Sequence, residues 1–165
     1  MLITPHAMTG AALSVSFASP FVGIILAFAS HYLLDAIPSW DVGMGTARDL
    51  SILFADAMFT IAALTYALRR TSNVVKMRIW AGAVVALLPD ILSQSLLLAG
   101  LRHDLFVLHL HQYLQAPAPL VVSLTSQVFL SIIVLMYLTK RIKRIMATPP
   151  SSHINTIVFR EGQRR

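Results

Sequence analysis

Long apolar segments separated by short groups of charged residues make up most of this chain. Three of them are long enough to cross a membrane, because a hydrocarbon core of about 30 Å needs about 20 helical residues at 1.5 Å each. These three segments occupy residues 50–68, 79–101 and 118–138. The stretch over residues 102–117 is too short to cross, and the pattern predicts a re-entrant or interfacial segment there.

The first apolar run, residues 7–37, is too long for one ordinary crossing and is interrupted by Ser19 and Pro20. A proline lacks a backbone donor and disfavours helix in the residue before it. The sequence therefore favours a hairpin of two shorter helices, and one long kinked helix is the alternative. A hairpin would bring His6 and Asp35 to the same end of the bundle, whereas a kinked helix would separate them by most of the membrane.

Composition agrees with this pattern. The chain has 165 residues, of which 56% are hydrophobic and 12% are charged, and its mean hydropathy is +0.72. Soluble domains carry about twice that share of charge. We therefore predict an all-α, integral membrane helical bundle of about four to five helices. Because the chain has no cysteine, any metal site in it must use nitrogen and oxygen ligands.

The net charge of +6 is carried entirely by residues 140–165, and a second basic group lies at residues 69–78. Lysine and arginine concentrate on the cytoplasmic side of membrane proteins. We expect a multi-pass domain over residues 1–146 and a basic, disordered cytoplasmic tail over residues 147–165. Because the basic segment directly follows an apolar span, its expected partners are membrane lipids and not nucleic acid.

Several ionisable residues interrupt the apolar segments. His31 and Asp35 are four residues apart, so on a helix they share one face with their Cβ atoms about 5–6 Å apart. They could bind one metal ion, or the carboxylate could orient the imidazole. Asp90 follows Pro89, whose ring opens the helical ladder and can leave polar groups facing a cavity. Asp carboxylates combined with neutral imidazoles suit a divalent metal ion such as zinc, manganese or iron.

These residues belong to short motifs that follow one another in a recognisable order. The motifs are His6 with Gly10 nearby, the block Ser30-His31-x-x-x-Asp35-x-x-Pro38-x-Trp40-Asp41, the intramembrane Asp56, the triplet Leu88-Pro89-Asp90, and His111. Together they resemble the membrane-bound metal-dependent hydrolases of bacterial inner membranes. The resemblance covers most of residues 3–115, and it implies an inner-membrane location and a catalytic metal site. Ser39 departs from it, because members of that family often carry histidine there.

The resemblance leads to a first hypothesis, a metal-dependent hydrolase that acts on a phosphoester or a lipid-like ester at the membrane surface. Its candidate metal ligands are His6, His31, Asp35 and Asp90. Either Asp56 or Asp41 would act as general base or would orient a ligand. A further histidine, His111, would donate a proton to the leaving group or complete the coordination.

Two alternatives use the same residues. A cation or proton transporter or channel would use the intramembrane carboxylates and imidazoles as a relay, and with about four spans it would have to oligomerise to enclose a path. A non-catalytic membrane protein would use them only to hold its helices together. Interhelical polar bonds contribute well under about 1 kcal/mol each on average. Stabilisation of this size is a poor explanation for so many ionisable residues in apolar segments.

Overall fold

The computed structural model describes residues 2–37, 46–100 and 119–147, and within these ranges it contains five helices and no strand. The helices are α1 (Ile3–Ser16), α2 (Pro20–Asp35), α3 (Ala47–Leu68), α4 (Asn73–Leu98) and α5 (Leu120–Ala147). The prediction of an all-α protein is confirmed. The predicted re-entrant segment and the tail beyond Ala147 lie outside the described residues.

The N-terminal apolar run forms two helices that break where the sequence predicts. Pro20 is the first residue of α2, a position at which the missing N–H has no intrahelical partner to lose, and the Ser19 hydroxyl accepts from the Val22 backbone at 3.5 Å. The two helices pack against each other. The start of α1 meets the end of α2, because His6 Nε2 lies 3.3 Å from Asp35 Oδ1. The run is therefore a hairpin and not one kinked helix.

Helix α1 lies at the centre of the bundle and packs against each of the other four helices. Its apolar side chains form the middle of the core, with Ala7, Met8 and Ala11 almost completely buried. Only 14 residues long, α1 is surrounded by longer helices. The polar groups at the ends of α1 therefore depend on side chains of the neighbouring helices for hydrogen bonds.

Helices α1 and α4 approach each other at two glycines. A Cβ added at Gly10 would overlap the Gly82 carbonyl oxygen and the Ala86 side chain, and one added at Gly82 would overlap the Gly10 carbonyl oxygen and the Ser14 side chain. Small residues four apart on each helix allow backbones to come this close. This contact also fixes how the two helices are aligned along their lengths. They run antiparallel, so each turn forward along α1 faces the preceding turn of α4.

The C-terminal end of α1 is held by two arginines from other helices. Arg78 of α4 donates to the carbonyls of Ser14 (2.6 Å) and Phe17 (3.0 Å). Arg141 of α5 donates to the carbonyls of Val15 (3.1 Å) and Ser16 (3.2 Å). The last carbonyls of a helix have no partner within it and carry partial negative charge. These guanidinium groups therefore satisfy α1 both by hydrogen bonding and by charge.

Two of the predicted spans coincide with helices that are long and apolar enough to cross a membrane, namely Ala47–Leu68 and Val121–Ala147. The third predicted span, residues 79–101, is contained largely in α4, which starts six residues earlier than the sequence predicts. Each of α3 and α5 packs against α1. The apolar pattern thus predicts the number and order of the long helices correctly and their limits less well, because α5 also continues nine residues beyond the predicted span.

The crossing of α1 and α4 predicts a position-specific loss of stability. Gly82→Ala should lower the free energy of unfolding by about 1–3 kcal/mol, because the added methyl group must push two helix backbones apart. Thermal unfolding in detergent, followed by circular dichroism, measures this loss. Ala81→Val is the control, since Ala81 is exposed on the same turn of α4 and its change should cost less than about 0.5 kcal/mol. Equal losses in the two variants would contradict the assignment.

Candidate metal centre

Four ionisable side chains meet where the start of α1, the end of α2 and the proline-containing turn of α4 come together. They are the four residues that the sequence predicts as metal ligands, His6, His31, Asp35 and Asp90. The two histidines are completely buried and Asp35 is 1% exposed. The side chain of Asp90 is 45% exposed, so this carboxylate forms the edge of the cluster that reaches the surface.

Asp35 lies between the two imidazoles. Its Oδ1 is 3.3 Å from His6 Nε2 and its Oδ2 is 3.2 Å from His31 Nε2, the second pair being the i, i+4 pair expected on α2. The two imidazole rings lie with their centroids 4.5 Å apart. The predicted helical spacing therefore places His31 beside Asp35, and the hairpin adds His6 from the neighbouring helix.

The α1–α4 register adds Asp90. Gly10 of α1 faces Ala86 of α4, so His6, one turn before Gly10, faces the turn of α4 that carries Asp90. The Asp90 Oδ1 atom lies 3.5 Å from His31 Nε2. One nitrogen of each histidine and one oxygen of Asp90 all lie within 4.8 Å of one another.

The orientation of His31 is fixed by a backbone carbonyl. His31 Nδ1 lies 2.8 Å from the Ala86 carbonyl oxygen, and because a carbonyl only accepts, Nδ1 carries the hydrogen. The other nitrogen, Nε2, then faces the carboxylates of Asp35 and Asp90. In a neutral imidazole this nitrogen presents a lone pair, which repels a carboxylate oxygen unless a proton or a cation lies between them. Metal-binding histidines are commonly oriented by such a bond from their other ring nitrogen.

The buried polar atoms of the cluster fit a metal ion. His6 Nδ1 is buried without a hydrogen-bond partner among the described residues. His6 Nε2 and Asp35 Oδ2 are also buried, and although they lie 3.3 Å from Asp35 Oδ1 and 3.2 Å from His31 Nε2, neither makes a hydrogen bond of standard geometry. Leaving buried polar atoms unsatisfied costs free energy, and a coordinated cation would satisfy them. The group formed by His6, His31 and Asp90, with Asp35 between the rings, could therefore hold a metal ion.

Asp56, predicted as a general base or an orienting residue, binds the start of α1. Its Oδ2 accepts from the backbone N–H groups of Ile3 (2.6 Å) and Thr4 (3.0 Å), and its Oδ1 accepts from the Thr4 hydroxyl. A carboxylate at this position satisfies unpaired donors of the first turn and interacts favourably with the helix dipole. Asp56 therefore anchors the helix that carries His6, while its role as a base stays a prediction.

The two other predicted catalytic residues, Asp41 and His111, lie outside the described residues, so their predicted roles stay predictions. Several residues that build the site were not predicted from the sequence. Gly82 and Ala86 have the four-residue spacing of close helix contacts, which is a detectable signal. Gln127, whose Oε1 accepts from the Leu2 backbone at 2.8 Å, and the arginines at the end of α1 have no local sequence signal for these contacts.

Comparison with known proteins does not identify a relative. The chain matches no family model, no curated protein and no solved structure. The resemblance to the membrane-bound hydrolases therefore remains an expectation from the motifs quoted above.

The contacts of Asp56 predict that its loss affects stability more than metal binding. Asp56→Ala should lower the free energy of unfolding by about 0.5–2 kcal/mol, the usual cost of losing a helix N-cap. Asp56→Asn should cost less, because the amide oxygen still accepts. Thermal unfolding in detergent and the metal content of the same samples test both points. Loss of metal from a fully folded Asp56→Asn variant would contradict a purely anchoring role.

Proposed function

We propose that this protein is a multi-pass inner-membrane protein and a metal-dependent hydrolase that acts on a phosphoester or a lipid-like ester. The observation that carries the proposal is the convergence of His6, His31, Asp35 and Asp90 from three helices into one buried cluster. The membrane setting and the hydrolytic activity are supported by separate features of the chain.

The membrane setting is supported by a distribution of side chains that is the reverse of the one expected in a soluble protein, with apolar residues outside and polar residues inside. Large apolar residues cover the outside of α3 and α5, where Phe54 is 68% exposed and Phe129 is 65% exposed. Polar residues such as Thr60, Ser123 and Gln127 are buried between the helices. A contiguous apolar exterior of this kind is unfavourable in water and favourable in lipid.

The position of the cluster along α1 supports a substrate with lipid character. His6 and Ser16, whose carbonyl binds Arg141, are ten residues apart, which corresponds to about 15 Å of helix. If the arginines mark the cytoplasmic interface, the cluster lies at about half the depth of a 30 Å hydrocarbon core. A substrate must then reach the cluster laterally through the bilayer or from the opposite side.

The chemistry of the four side chains supports hydrolysis. Two imidazole nitrogens and two carboxylates form a nitrogen and oxygen ligand set that suits zinc, manganese or iron, and the two negative charges balance a divalent cation. Such a cation, when bound, acts as a Lewis acid and makes water a nucleophile near neutral pH. The Ala86 carbonyl holds His31 ready to bind through Nε2. The half-exposed Asp90 leaves this side of the cluster open to a substrate that approaches from outside the bundle.

Metal binding is the first test. The purified protein should bind about one divalent ion per chain, measured by mass spectrometry of the metal content, and His6→Ala and Asp35→Ala should each weaken binding by more than about 100-fold, the upper range for loss of a supporting contact. Asp49→Asn is the matched control, because Asp49 accepts a hydrogen bond from Thr46 at the start of α3 and should bind metal like the wild type. Absence of metal after loading with zinc, manganese and iron would overturn the proposal.

Hydrolysis is the second test. The metal-loaded protein in lipid nanodiscs should hydrolyse phosphoester or lipid ester substrates, and a chelator or Asp35→Ala should abolish the activity while Asp49→Asn retains it. A parallel liposome assay measures divalent cation and proton flux. Metal-dependent flux without hydrolysis would favour the transporter, and a metal site with neither activity would favour a structural role.

A further inference from the structure

A cavity of about 220 Å³ lies between α1, α3 and α5, on a different side of α1 from the metal cluster. Its walls are mainly apolar and include Met8 of α1, Phe59 of α3 and Leu135 of α5. Phe59 and two α5 residues of the lining, Val128 and Ile132, are each more than half exposed. The mouth of the cavity therefore opens onto the same apolar exterior that supports the membrane setting.

The shape of the cavity limits what can fill it. Along α5 its lining runs from Gln127 to Leu135, which corresponds to about 12 Å at 1.5 Å per residue. A helix of that length and about 10–12 Å in diameter takes up roughly 900–1,400 Å³, which is more than the space between these three helices. Ordered water needs two to four polar partners per molecule, and most of this lining offers none. A single hydrocarbon chain fits both the length and the apolar walls.

The polar lining residues at one end of the cavity are already paired. Asp56 binds the start of α1, and the Gln127 side chain accepts from Leu2 and donates to Ser123 at 2.6 Å. These groups therefore need no hydrogen bond from a ligand, and they close that end of the cavity. From these groups the α5 lining runs towards Leu135, in the direction of Lys140.

The cavity lies within reach of a lipid in the leaflet at the basic end. Gln127 precedes Lys140 by 13 residues and Asp56 precedes Arg69 by 13 residues, so both helices place the closed end about 20 Å from the basic end of the bundle. Leu135 lies five residues, or about 8 Å, from Lys140. A chain of the leaflet at the basic end, which extends through about 15 Å of hydrocarbon, can cover most of this length. Its phosphate would then lie at the level of Lys140 and Arg69.

We infer that this cavity is a binding slot for one acyl chain of an anionic phospholipid from the leaflet at the basic end. The inference rests on the membrane setting in the proposed function and is independent of the metal chemistry. The apolar walls bind the chain, and the basic residues that follow the lining along α3 and α5, Arg69 and Lys140, select the anionic headgroup. The slot is thus a lipid site apart from the hydrolytic centre.

The experiment uses the full chain in nanodiscs of phosphatidylglycerol and phosphatidylcholine in equal amounts, with retained lipids counted by native mass spectrometry after transfer to detergent. The wild type should retain one phosphatidylglycerol, and Ser131→Phe, which fills the slot, should reduce that retention by at least fivefold. Thr125→Phe is the matched control: Thr125 is exposed on α5 and, like Ser131, donates to the carbonyl four residues earlier. It should retain lipid like the wild type.

Further measurements distinguish the proposed lipid slot from other ligands and from the proposed hydrolase. Equal retention by wild type and Ser131→Phe, or preference for phosphatidylcholine or an added fatty acid, would overturn the inference. A phosphatidylglycerol with a photoreactive acyl chain should crosslink the wild type at the peptides of Met8 and Leu135, and crosslinking elsewhere alone would also overturn it. The circular dichroism and thermal unfolding of Ser131→Phe, expected to equal those of the wild type, report its folding. Lipid retention without metal binding would leave the slot standing while the proposed hydrolase fails.

Discussion

The contact between α1 and α4 at Gly10 and Gly82 is the constraint on which the rest of the structure depends. Because neither glycine has room for a side chain, the two backbones touch and the register of the antiparallel pair is fixed. One turn from Gly10 in that register is His6, and one turn beyond Ala86 is Asp90. The same contact brings the Ala86 carbonyl to His31. The contact between these two glycines has no chemical role of its own, but it determines which ionisable side chains lie close together.

Burial of α1 creates a second requirement, which is met by side chains from the other helices. A helix inside a bundle exposes unpaired donors at its start and unpaired acceptors at its end, and neither can be left without partners in an apolar environment. A carboxylate, Asp56, binds the start, while two arginines, Arg78 and Arg141, bind the end. The signs of these charges oppose the helix dipole at both ends. Three charged residues within apolar helices therefore have a structural reason to be there.

The sequence predicts the local features of this protein better than its contacts. The break at Pro20 and the pairing of His31 with Asp35 follow from proline chemistry and helical spacing. The full set of four candidate ligands comes from the hypothesis that the family resemblance implies, and the structure brings these four side chains together. Which helix faces which is a property of packing, so the anchoring contacts of Asp56 and the arrangement of Arg78 over the end of α1 could not be read from the chain. Asp56 illustrates the difference, because an isolated carboxylate in an apolar segment has the same sequence pattern whether it binds a metal, a proton or the end of a helix.

The geometry of an α-helix explains how α1 can serve two sites. His6 and Met8 are two residues apart, which on a helix turns their side chains to nearly opposite directions. His6 therefore faces α2 and α4 with the ionisable cluster, whereas Met8 lines the cavity beside α3 and α5. The two sites share a backbone but no side chain. A substitution in the cavity wall can alter lipid binding while the ligands on the other face keep their positions, provided that α1 stays fixed at Gly10 and at both of its ends.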